Sequence, residues 1–126
     1  MEAGQELDKL IAEKLGWTDV AYIIKTGLNG SVFNIYQCLV GIPPGETERT
    51  DVPCYSTDLN AAASLPKPDS MYHKIIIVIV DNTLTVRYVN VWDGGAAAIQ
   101  SGEDEALLRC LAWLEYQKYL ETDFKS

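Results

Sequence analysis

The residues best suited to hold a small molecule fall in three short stretches. Tyr55-Ser56-Thr57-Asp58 sets an aromatic ring, hydroxyls and a carboxylate in consecutive positions. Trp92-Asp93-Gly94-Gly95 puts an indole and a carboxylate before two glycines. Trp17, just after Gly16, is a further ring that could stack on a ligand or fold back on a helix end. Together these residues suit recognition of a nucleotide-like molecule through aromatic faces and hydroxyl hydrogen bonds. They are less suited to covalent chemistry. A catalytic triad needs a histidine beside a nucleophile and an acid, and the chain has one histidine, His73, placed before an apolar run. Carboxylate pairs are available among 18 acids, but no spacing marks one pair out. Asp93 with Asp58 or Glu103 would offer hard oxygen ligands to Mg²⁺ or Ca²⁺. The same three acids are better explained as a turn aspartate and two helix-start acids, and no metal site is expected. Asp93-Gly94-Gly95 lacks the glycine and lysine spacing of a phosphate-binding loop. Glu103, Asp104 and Glu105 at the next helix start would repel a phosphate there. No cofactor pattern is present and no cofactor is expected.

The chain as a whole narrows the partners. It has 126 residues, 10 basic and 18 acidic, for a formal net charge of -8. Nucleic-acid duplexes and anionic membranes attract clustered Lys and Arg, so neither is expected as a partner. Three cysteines, Cys38, Cys54 and Cys110, form no close pair, which argues against a disulfide framework and a Cys-x-x-Cys zinc site. The acidic opening Met-Glu-Ala-Gly carries no apolar signal region, and a reducing cytoplasm is the expected setting. A hydrophobic fraction of 48% over this length predicts one domain, residues 1–126, with one core.

The elements that must position these side chains follow from periodicity. Glu2 to Leu15 predicts an amphipathic helix, with Leu7, Leu10, Ile11 and Leu15 on one stripe and Gly16 as its stop. Val20–Lys25 and Val32–Val40 predict a hairpin turned over Thr26–Ser31, with Asn29-Gly30 the sharpest turn signal. Gly41 to Pro53 reads as a long exposed loop. Ser56 is a candidate N-cap for a short helix ending before Pro66. Ile75 to Val80 is an unbroken, mostly β-branched run, which predicts a strand covered on both faces. Asp81-Asn82-Thr83 turns it into a second arm, Leu84 to Trp92. Asp93 to Gln100 reads as a small-residue loop. Ser101-Gly102-Glu103-Asp104 resembles a capping box before a long helix from Ala106 to Leu120. The expected fold is α+β. In detail it is an α/β/α sandwich whose mainly antiparallel sheet of about four strands, two hairpins, is covered by N-terminal, short middle and long C-terminal helices. An exposed sheet edge would also allow a homo-oligomer.

The run Ala3 to Lys14 with Gly16-Trp17, the Tyr55-Ser56-Thr57-Asp58 segment before an alanine-rich turn, and the acidic Ser-x-x-Asp start of the last helix are together similar to the phage ABA sandwich domain family. The sequence departs from that pattern where Pro66 truncates the middle helix and where the Val20–Val40 hairpin and Pro43-Pro44 loop resemble an insertion. The resemblance implies an α/β/α sandwich, a phage or prophage protein acting in the host bacterial cytoplasm, and no assigned enzymatic activity. By analogy with small accessory phage proteins, it implies antagonism of host defence. One form is sequestration of a small nucleotide-derived signal by Trp17, Tyr55, Ser56, Thr57, Asp58, Trp92 and Asp93. The alternatives are an acidic protein that inhibits a host protein, and a small hydrolase using Asp58, His73 or Asp93.

Overall fold

The computed structural model describes residues 2–29 and 32–123, with side chains described for residues 2–24 and 37–122. These residues form three helices and two antiparallel three-stranded sheets, an α+β fold. They divide into two compact units, Gln5–Pro53 and a second comprising Met1–Gly4 with Cys54–Ser126. The strands thus belong to two sheets, where one sheet of about four had been expected.

In the first unit, helix α1 (Gln5–Lys14) buries Leu7, Ile11 and Ala12 completely, and Asp8 nearly so. Its end is a Schellman motif: Gly16 N–H donates to the Glu13 carbonyl and Trp17 N–H to the Ala12 carbonyl. Gly16 holds φ +100°, the left-handed conformation that made it a good stop. Strands β1 (Thr18–Asn29), β2 (Val32–Ile42) and β3 (Thr50–Asp51) follow in sheet order. β1 therefore runs through Thr26–Asn29, where turn chemistry had suggested the bend; Gly30 and Ser31 of that turn lie outside the described residues. β3 pairs with Val40 and Gly41, so the Gly41–Pro53 segment is only partly loop.

In the second unit, helix α2 (Leu59–Ala63) leads to β4 (His73–Val80), β5 (Thr83–Asn90), β6 (Ala96–Gly102) and helix α3 (Glu105–Asp123). β5 is central, between β4 and β6. Its residues Leu84, Val86 and Tyr88 are buried, and the Tyr88 ring stacks on Tyr116 of α3 at 4.5 Å. The hairpin turn Asp81-Asn82 has positive φ at both positions (49° and 65°), the two-residue geometry that matches strand twist.

Three expectations change here. Ala96–Gln100 is strand, part of β6. Alanines have little strand preference, but they let α3 approach closely: Ala98 is buried, and a side chain on Gly102 would meet Leu108 at 3.3 Å. The cap of α3 is Asp104, whose Oδ1 accepts from Leu107 N–H, while Ser101 stays in β6 and shares a hydrogen bond with Thr85. Finally, Ile75–Val80 is not covered on both faces. β4 is an edge strand; Val78, Ile79 and Val80 are 40, 68 and 60% exposed.

Burial pushes the Tyr88 hydroxyl from 10.0 to about 12, and raises Tyr116 in the same direction. The unfolded chain ionises these tyrosines first. Their contribution is therefore intact below pH 10.0 and is lost as pH rises toward about 12. For Tyr88 alone the loss is roughly 2–3 kcal/mol. Denaturant melts across this range should show a steep fall in midpoint, which Tyr88→Phe flattens.

Candidate functional site

Two adjoining hollows lie along the connector from Pro66 to Ser70, between the start of β4 and one side of α3. The first, about 330 Å³, is walled by Pro66, Pro68, Asp69, Tyr72, Tyr116, Gln117 and Leu120. The second, about 390 Å³, is ringed by Ser70, Lys74, Ile75, Ile77 and Arg109. Lys67, Pro68 and His73 line both, so the two hollows adjoin.

The local chain explains this shape. Prolines flank Lys67 and cannot continue α2, so the connector runs out beside the sheet in an extended form. Asp69 then ends it: its Oδ1 accepts from Met71 N–H, and its carbonyl accepts from Tyr72 and His73 N–H. The turn delivers His73 into the core, where it is 2% exposed. Its Nδ1 lies 2.9 Å from the Tyr116 hydroxyl, and its ring meets Tyr116 and Tyr119 edge-on at 5.0 and 5.6 Å. Burial raises the Tyr116 hydroxyl above its ordinary value, with Tyr119 and Asp69 adding to the effect. The result is a stiff aromatic wall in the first hollow, with the Tyr72 ring half exposed at its mouth.

The second hollow is basic. Lys67 and Lys74 are exposed and make no ion pair with a described residue. Arg109 uses Nε to hold Glu105 at 2.9 Å, leaving the outer guanidinium nitrogens of its fork for other acceptors. Three of the chain's 10 basic residues therefore line one hollow of a protein with net charge -8. The first unit's hollow, about 440 Å³ beside Ile23 and Val40, is electrostatically spent by comparison: its Arg49 is paired with Asp19 at 2.6 Å, and Asp51 adds negative charge.

Of the residues singled out by sequence, His73 lines both hollows, and the candidate ligand-binding residues are not among their lining residues. Tyr55 and Ser56 are buried, and the Ser56 hydroxyl accepts from Gly4 N–H at 2.8 Å. The helix cap is Asp58, not Ser56: its carboxylate accepts from Asn60 N–H at 2.9 Å. Thr57 and Asp58 face solvent. Trp92 is 81% exposed and donates from Nε1 to the Met71 carbonyl; Asp93 Oδ1 accepts from Gly95 N–H. Trp17 is half-buried in the other unit, where its ring lies 3.3 Å from a side chain built on Gly41. Among the described residues, no three His, Cys, Asp or Glu side chains converge to hold a metal ion, and no helix is long and apolar enough to cross a membrane. Reasoning from spacing missed Lys67, Tyr72, Lys74, Arg109 and Tyr116, because a connector, the start of β4 and the sequence-distant helix α3 bring them together. The only local signal was a lysine between two prolines.

A scan of family models finds no match to the chain, and searches of curated proteins and of solved structures return none.

Proposed function

We propose that this chain is a non-catalytic binding protein that sequesters a small, negatively charged, ring-bearing molecule, of the kind a nucleotide-derived signal presents. The observation that carries the reading is that Lys67, Lys74 and Arg109 line one hollow while Tyr72 and Tyr116 line the one adjoining it. A phosphate would take the cations through charge-assisted hydrogen bonds. A planar base would lie against Tyr72 and the prolines, with Asp69 and Gln117 as polar partners for its edge. His73 serves here as part of the wall, being buried and held by Tyr116.

The resemblance to phage ABA sandwich proteins supports the wider setting of this reading: an α/β/α sandwich, a phage or prophage source, the host cytoplasm and antagonism of host defence. A second reading, an acidic inhibitor that masks a basic surface of a host enzyme, draws on the net charge of -8.

One experiment separates these readings from a hydrolase. The protein is incubated with a bacterial nucleotide extract and removed, and both fractions are analysed after the protein is denatured. Depletion followed by recovery of the intact molecule supports sequestration. Recovery of an altered product overturns it in favour of an enzyme, and no depletion leaves the host-protein reading.

A further inference from the structure

The two edges of the β4-β5-β6 sheet are treated differently. The β6 edge is closed by α3: Glu115 accepts from the Ile99 N–H at 3.2 Å and from Gln100 Nε2 at 2.6 Å. Among the described residues, none covers the β4 edge in this way. Tyr72 O accepts from Val91 N–H, and Val80 pairs with Thr83 across the two-residue turn. Antiparallel bonding alternates, so the even-numbered residues of β4 bond to β5, and the N–H and C=O groups of Ile75, Ile77 and Ile79 point to the open edge. Exposed edges are normally blunted by charge, proline or a bulge. Between Ile75 and Val80 there is no charge, no proline and no register shift.

We propose that this edge pairs with the same edge of a second copy, antiparallel about a two-fold axis at Ile77, joining two three-stranded sheets into one of six strands. The edge is self-complementary in that register. Ile77 faces Ile77 and Ile75 faces Ile79 as pairs that exchange both main-chain hydrogen bonds, so every outward group finds a partner. Ile76 then faces Val78, and no like charges meet. The most exposed residues of the strand, Ile79 and Val80, become covered. One residue further on, the exposed turn brings Asp81 of the second copy alongside Lys74, an attraction repeated at both ends. The closed two-fold leaves no further β4 edge free, which halts growth at a dimer. Lys74, Ile75 and Ile77 also line the second hollow, so the dimer would share these residues with the ligand proposed there, and the test below uses the ligand-free chain.

The test is sedimentation equilibrium of the ligand-free full chain over a wide concentration range, with circular dichroism as the control for folding. The wild-type chain is expected to reach twice the monomer mass of 14.0 kDa. Ile79→Lys, at a solvent-facing position, is expected to stay monomeric with an unchanged spectrum. Asp81→Asn, which keeps a residue that tolerates the turn, is expected to weaken dimerisation several-fold. A wild-type monomer at all concentrations, a dimer that survives Ile79→Lys, or open-ended assembly would each overturn the proposal.

Discussion

Reversing two charges, Lys67→Glu together with Lys74→Glu, is expected to abolish binding of a phosphate-bearing nucleotide while leaving the fold intact. Both side chains are exposed and neither pairs with a described residue, so no internal partner is lost. A hydrogen bond to a charged group contributes about 1.5–3 kcal/mol, and reversal adds repulsion. Affinity should fall by at least about a hundredfold, as read by calorimetric titration of a nucleoside diphosphate. Conservative Lys→Arg changes at the same two positions should retain most of it. A reversal variant that binds like the wild-type chain would remove the cations from the site.

Val86→Asp is expected to unfold the second unit. Val86 is 1% exposed at the centre of the central strand, between β4 and β6 and beneath α3. A carboxylate there must shed its water without a partner, or take up a proton and still lack a hydrogen bond. The cost should exceed about 4 kcal/mol, enough to unfold a small unit at ordinary temperature. Loss of the near-ultraviolet signal of Trp113, buried on α3, would report it. Val86→Ala should cost less, because it leaves a cavity and no uncompensated charge.

Much of the architecture was legible because local and tertiary preferences agree. In α1, Leu7 and Ile11 of the predicted stripe are buried and Gly16 is the stop, although Asp8 and Ala12 are buried where Leu10 and Leu15 are only half-buried. The Asp81-Asn82 turn and the long α3 helix were equally plain in the sequence. Where the two levels part, the sequence misleads. β4 is the most apolar strand of its sheet and yet lies at the edge, whereas β5, whose Thr83-Leu84-Thr85-Val86-Arg87-Tyr88 pattern alternates, is the buried centre. An apolar run reports strand preference, not which neighbours will cover it. β6 was illegible for the opposite reason. Its alanines carry no strand signal and are explained only by the close approach of α3. Ser56 and Ser101 are good capping types, but Asp58 and Asp104 stand nearer the helix starts and take the role.

The basic hollow was hidden by sequence separation. Lys67, Lys74 and Arg109 sit on a connector, a strand and a helix, and only the fold makes them neighbours. Tyr55 and Ser56 show the converse: contiguous polar and aromatic types that the fold turns inward.

The most direct test of the site is amide and side-chain chemical-shift mapping during titration of the full chain with a nucleoside diphosphate. Saturable shifts centred on Lys67, Tyr72, Lys74, Arg109 and Tyr116 are the expected result. Shifts centred instead on Thr57, Asp58, Trp92 and Asp93, or none at millimolar ligand, would contradict it.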